Sequence, residues 1–280
     1  MKHGSQIDTF RQLHESGCFV IPNPWDAGSA VALASLGFKA LATSSAAVSF
    51  IRARAETPNS VSVEETLENI RVVVRATGLP VNADFQAGYA ETPEGVVSSV
   101  RRCVEAGAAG LSIEDATGSD HRPLYDLSEA VDRVCAAREA IDADGRGVLL
   151  TARCESFLVG DSDPLETAIE RLVAFAEAGA DCLYAPGLMT PEEVQRVVEA
   201  VAPKPVNVLA CESQWMTVDA LAGLGVRRIS VGSALARAAW GGFLRAAREM
   251  KASGSFGGFG DAETFSSMNQ MFTEWERSQR

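Results

Sequence analysis

Two short apolar runs in this chain stop abruptly at carboxylates and amides: Val81-Asn82-Ala83-Asp84-Phe85-Gln86 and Gly110-Leu111-Ser112-Ile113-Glu114-Asp115. Each lies between stretches of helical pattern, as a buried parallel strand does. Carboxylates placed where such strands end can hold a hard cation. Asp84, Gln86 and Glu114 offer oxygen ligands with no His or Cys beside them, a donor set that suits Mg²⁺ or Mn²⁺ rather than zinc. The plain alternative for any one of them is a solvated loop side chain, and two carboxylates on successive strand ends favour the metal.

Three further features could serve an anionic substrate. Arg153 follows Val148-Leu149-Leu150-Thr151-Ala152 and so stands at a strand end, where its fork can grip a carboxylate or a phosphonate. It could instead neutralise Glu114 or Glu155. Thr43-Ser44-Ser45-Ala46-Ala47 is built of small residues, so main-chain N–H groups can approach an anion closely. Residues 116–126 form a long segment after the fourth strand and read as a lid. Within it, His121, Tyr125 or a water are candidates for proton transfer.

The elements that position these groups alternate strand and helix. Candidate strands are residues 18–22, 39–43, 80–84, 110–114, 148–153, 181–185, 205–209 and 228–231, mostly apolar on both faces. Thr92-Pro93, Asp163-Pro164 and Thr190-Pro191 each place a capping residue before a first-turn proline. Helices end on glycine at Gly37, Gly107, Gly179 and Gly225. Eight such units predict a (β/α)8 TIM-type barrel over residues 1–251, with a doubly wound open sheet as the alternative. A Gly-rich connector and an apolar-striped helix occupy residues 252–280, suited to packing on the barrel or swapping with a neighbour.

At 280 residues the chain fits one barrel with a sizeable core. Its 25 basic and 37 acidic residues leave a net charge of −12, which argues against nucleic acid and anionic membranes as partners. The six cysteines show no regular spacing, as in a reduced, cytoplasmic protein. No stretch approaches the roughly 18 apolar residues of a membrane span.

Taken in order, Asn23-Pro24-Trp25-Asp26-Ala27, Asn82-Ala83-Asp84-Phe85-Gln86-Ala87-Gly88-Tyr89, Ser112-Ile113-Glu114-Asp115, Thr151-Ala152-Arg153-Cys154-Glu155 and Val231-Gly232-Ser233 resemble the isocitrate lyase/phosphoenolpyruvate mutase superfamily. The resemblance spans nearly the whole barrel. It implies Mg²⁺, a small 2-oxo acid substrate and enolate-like species. It also implies that Asp84 is a direct metal ligand and Glu114 a water-mediated one, with Gln86 standing where a second Asp is common. By the same resemblance Ser44, Ser45 and Ala46 bind the substrate carboxylate through their backbone, and Arg153 grips the substrate. Trp25 and Asp26 belong to the first-loop substrate segment, and Asn207 lies on a strand that supplies a polar contact. Many members are dimers of dimers that exchange carboxy-terminal helices, which implies a homo-oligomer here.

The departures from that pattern are specific. The lyases carry a catalytic Cys in a Lys-Cys-Gly-His-type lid, whereas residues 117–126 contain no Cys and no mutase-type Lys and Asn. Glu56 is the nearest candidate for a frequent Asp after the second strand, and Pro186 replaces a frequent Glu or His. The expectation is a Cys-lacking, carboxyphosphonoenolpyruvate phosphonomutase-like branch. Its activity would be that of a Mg²⁺-dependent lyase making or breaking a C–C bond in a small 2-oxo or 2-hydroxy acid. The alternatives are a phosphonopyruvate-type P–C mutase or hydrolase, and a catalytically degenerate 2-oxo acid binder.

Overall fold

The computed structural model describes residues 3–57, 60–210 and 213–279; Cys211 and the final residue of the C-terminal stretch, Arg280, fall outside them. Eight of the expected strands form: β1 (Phe19–Ile21), β2 (Leu41–Ala42), β3 (Val81–Asp84), β4 (Gly110–Glu114), β7 (Leu149–Arg153), β8 (Cys182–Tyr184), β9 (Val206–Leu209) and β10 (Arg228–Ser230). Between β4 and β7 lie two further short strands, β5 (Ala116–Ser119) and β6 (Arg122–Leu124), which pair antiparallel as a hairpin.

The eight strands are parallel and run in the order β1-β10-β9-β8-β7-β4-β3-β2. Chain order is kept around the sheet with no reversal, unlike a doubly wound sheet. The seam between β1 and β2 is bridged where Ala42 N–H donates to Pro22 O at 3.0 Å, and the Asn23 amide donates to Thr43 O at 2.8 Å. The sheet is therefore a near-closed (β/α)8 barrel.

Helices α2 (Ala27–Ser35), α4 (Val63–Thr77), α5 (Pro93–Glu105), α6 (Leu127–Asp144), α7 (Pro164–Glu177), α8 (Pro191–Val201) and α9 (Val218–Gly223) accompany the strands. Thr92 and Thr190 cap α5 and α8 through their side chains, but Asp163, in the same place before α7, makes no capping bond. Gly37, Gly107, Gly179 and Gly225 all turn with φ between +87° and +103°, a conformation that costs glycine nothing.

Two helices were not anticipated. The first, α1 (His3–Glu15), plugs one end of the barrel; the second, α3 (Ser45–Ile51), grows from the small-residue segment after β2. Phe10 of α1 is fully buried, and its ring explains Gly110: a Cβ there would lie 2.6 Å from Phe10 Cε1 and 2.9 Å from Asn82 Oδ1. After β10 come α10 (Ala234–Ser253), a short turn of helix at residues 257–259, and α11 (Phe265–Ser278). Within this chain α11 lies against α2, and the Trp275 indole donates to Ala76 O at 3.2 Å. Among the described residues no helix is long and apolar enough to cross a membrane.

A polar layer crosses the barrel interior above Phe10. Arg228 donates through Nε to Asn207 Oδ1 at 2.8 Å and through Nη2 to Thr151 Oγ1 at 3.0 Å. Its Nη1 reaches His14 Nε2 at 3.3 Å and Asn82 Oδ1 at 3.5 Å. Arginine has only donors, so Nε2 of His14 must accept, and Nδ1 carries the proton that Phe10 O accepts at 2.7 Å. Burial, then the nearby Arg228 charge, lowers the His14 pKa from 6.5 to about 3. The unfolded chain therefore binds a proton that the folded one excludes. The resulting stability is present above pH 6.5 and is lost as pH falls toward 3, on the order of 2 kcal/mol by pH 5. Urea unfolding of the wild type and of His14→Gln at pH 7.5 and 5.0 checks this: the wild type's advantage should shrink in acid, and a pH-independent difference would contradict it.

Candidate active site

The barrel opens at the C-terminal ends of its strands into a recess whose lining includes Asp84, Arg153, Tyr184, Asn207 and Arg228. β3 delivers Asp84 and β7 delivers Arg153 because both strands stop there. The Asp84 carboxylate sits on the first turn of α3, where Ser45 N–H donates to Oδ2 at 2.8 Å. The Thr43 hydroxyl accepts from Asp84 N–H at 2.9 Å and fixes the backbone beneath it. Asp84 Oδ1 is buried and has no hydrogen-bond partner.

Arg153 stands among three carboxylates. Its Nη1 lies 3.2 Å from Glu114 Oε2 and 3.6 Å from Asp84 Oδ1, and Nε pairs closely with Glu155. Its guanidinium also lies over the Tyr184 ring, 5.3 Å from the centroid. Burial alone would lower its pKa, but Glu155, Glu114, Tyr184 and Asp84 together hold it well above its ordinary value. Burial pushes Glu114 up to about 8, against the pull of Arg153. Burial also raises Glu155 and Asp115, the latter against its contact with Arg171 Nη1 at 3.1 Å. Glu56 reaches into the same mouth, accepts from the Ser45 hydroxyl at 2.9 Å and is likewise raised by burial. Tyr184 is pushed up to about 12 by burial.

Glu114 and Gln86 line a second cleft, shared with Tyr89, Thr117 and Tyr125. Gln86 and Tyr89 hold left-handed backbone, with φ of +45° and +52°, a cost borne by non-glycine residues mainly where a site demands it. Arg133, 1% exposed, braces this loop by donating to the carbonyls of Ala87, Ala90 and Glu91 while stacking 4.3 Å from the Tyr125 ring centroid.

The expected lid is the β5–β6 hairpin. Its base is pinned where Tyr125 N–H donates to Asp115 O at 2.9 Å and Arg171 Nη2 donates to Tyr125 O at 2.8 Å. His121 is exposed at its tip, and Arg122 pairs with Glu129 at 2.8 Å.

The remaining expected residues spread over three places. Ser44 caps α3 by accepting from Ala47 N–H at 3.3 Å, and Ala46 is buried in its first turn. Asp26 caps α2, accepting from Ser29 N–H at 2.7 Å. Trp25 lines an apolar recess with Ile51, Trp240 and Phe243. Asn207 faces the barrel recess with both ends engaged, Oδ1 by Arg228 and Nδ2 by Ser230 Oγ at 2.9 Å. Arg228 and Arg133 were not among the sequence candidates, and Tyr184 stood there only as a strand end without a role; the interior pairing gives them roles.

The phosphoenolpyruvate phosphomutase family model matches residues 10–251. A solved structure from Burkholderia cenocepacia J2315, provisionally described as a lyase/mutase, is 45% identical over 97% of each chain, with a TM-score of 0.93. Oxaloacetate decarboxylase of Pseudomonas fluorescens is 27% identical over 83% of this chain and 80% of that protein. 2-Methylisocitrate lyase of Escherichia coli is 35% identical over 44% of this chain and 42% of its own length. The chain thus belongs to the phosphoenolpyruvate phosphomutase family.

Proposed function

We propose that this protein is a Mg²⁺-dependent lyase that makes or breaks a C–C bond in a small 2-oxo or 2-hydroxy carboxylic acid. The observation that carries the reading is Asp84 Oδ1, a buried carboxylate oxygen without a hydrogen-bond partner at the mouth of the barrel recess. Among the described residues no three His, Cys, Asp or Glu side chains converge as a metal cage. Asp84 and Glu114 are hard oxygen donors of the kind that suit Mg²⁺, which keeps several waters and takes one or two protein carboxylates together with its substrate. Asp84 and Glu114 would hold the ion, with Gln86 on the loop beside them. When bound, it would supply electrostatic stabilisation of negative charge developing on a carbonyl oxygen.

The chain's own groups do the rest. Ser45 N–H fixes one oxygen of Asp84, and Arg153 offsets the charge of Asp84, Glu114 and Glu155. The Tyr184 ring lies against the guanidinium, 5.3 Å from centroid to Cζ. The names of the decarboxylase and lyase relatives support 2-oxo and 2-hydroxy acids as the substrate class. The family's own name and the lyase/mutase description of the Burkholderia protein support a second reading, P–C chemistry on phosphonopyruvate. Turnover of oxaloacetate against phosphonopyruvate separates the two.

Asp84→Ala should abolish Mg²⁺ binding by calorimetry and lower kcat by at least about a hundredfold, with the circular dichroism spectrum unchanged. Unaltered turnover in that variant would overturn the metal reading.

We also propose that the segment 252–280, added to a barrel of residues 1–251, together with the outer face of α10 builds a homo-oligomer, a dimer of dimers. Phe243 is 60% exposed, Phe256 65% and Phe265 88%, with Trp240 and Leu244 beside them on α10, an apolar surface suited to a second copy. Ultracentrifugation should show a multimer that Trp240→Glu with Phe243→Glu dissociates; a monomeric wild type would sink the idea.

A further inference from the structure

Strand register places four recess-lining residues in one row across four neighbouring strands. Arg153 of β7 pairs with Tyr184 of β8, Tyr184 with Asn207 of β9, and Asn207 with Arg228 of β10. Because barrel strands are tilted and staggered, a row that begins at a strand end in β7 descends into the interior by β10. A guanidinium stands at each end of the row, one at the rim and one at the floor.

The two differ in how their charge is balanced. Arg153 has three carboxylates within 4 Å. Arg228 is 3% exposed and touches only neutral acceptors: Asn207, Thr151, Asn82 and the unprotonated face of His14. Among the described residues no carboxylate forms an ion pair with it. A guanidinium cannot shed its proton, and a buried charge without a counter-charge is costly even when its hydrogen bonds are made. Arg228 nevertheless lines the same recess as Asp84. Two of the groups expected to receive a substrate carboxylate at the rim are already engaged: Ser45 N–H by Asp84, and Arg153 by its carboxylates.

We propose that the recess binds its ligand with an anionic group lowered to the floor, against Arg228, the ligand being a small carboxylate whose far end faces Asp84 and Arg153 at the rim. Arg228 is then the counter-charge for the ligand, and Asn207 and Thr151 hold its fork in place. Occupancy of the floor also supplies the counter-charge that Arg228 lacks among the described residues. The inference deepens the lyase reading and rests on it only for the choice of carboxylate as ligand.

Bromide is the first probe. In crystals of the metal-free full-length protein soaked in sodium bromide, an anomalous peak is expected in contact with the Arg228 guanidinium; a recess without bromide at that position overturns the proposal. In solution, oxalate titrated calorimetrically without Mg²⁺ should bind Arg228→Gln at least about tenfold more weakly than wild type, with Arg228→Lys recovering most of the loss. Equal affinity in wild type and Arg228→Gln, or an equal loss in the Lys and Gln variants, would refute it. If the Gln variant does not fold, the bromide result on wild type decides alone. Failure to turn over any 2-oxo acid would remove the lyase reading and leave the bromide result standing.

Discussion

Everything at the mouth of this barrel depends on the guanidinium of Arg153. Asp84 and Glu114 converge there from two neighbouring strands, β3 and β4, and Glu155 from the loop after β7, with burial resisting the ionisation of Glu114 and Glu155. A single cation within reach of all three allows them to coexist. Such arrangements contribute little net stability, since desolvation offsets most of the attraction, yet removing one partner of a buried pair costs about 3–5 kcal/mol. The cluster is therefore fixed in place without being a source of stability, which is how a set of groups kept for chemistry should look.

The interior beneath that mouth is less usual. Barrels are commonly filled by layers of branched apolar side chains. Here the middle layer is polar, and Arg228 ties it to α1 through His14, a contact spanning 214 positions in the chain. The plug helix and the eighth barrel strand thus share one hydrogen-bond network. Two aromatic edges, Phe10 and Phe19, close around the imidazole at centroid distances of 4.6 and 5.1 Å and keep water from it. The arrangement couples the closed end of the barrel to the floor of the recess.

The sequence was most legible where the physics is local. Apolar runs, threonine caps before proline and glycine stops each need only a few neighbouring residues to be read, and they located all eight barrel strands. Asp84, Glu114 and Arg153 followed because a charged residue ending such a run has one place to go. What escaped depends on distant partners. α1 has a thin apolar pattern, Ile7 and Phe10 among polar residues, and is a helix because the barrel needs a plug. The segment 43–47 read as an anion nest, and its small residues do leave the Ser45 main-chain N–H to an anion, but that anion is the Asp84 carboxylate. Arg228 opens a strand, where charge ordinarily means solvent, and only the tilt of the sheet carries it inward. Trp25 and Asp26 sit at the recess formed with α10 and at the cap of α2.

The hairpin between β4 and α6 has a consequence for the diversity of its relatives. Its two ends lie at Asp115 and Tyr125, which bond to each other and share Arg171. Both ends of the insertion are clamped to one point, so the chain between them closes on itself without tension from the barrel. Lengthening or shortening such a closed arm changes its entropy only slowly with length. The arm is thus an exchangeable cassette. Evolution can rewrite the residues of this hairpin while the carboxylates and guanidinium at the strand ends keep their registry, and new chemistries need not rebuild the barrel.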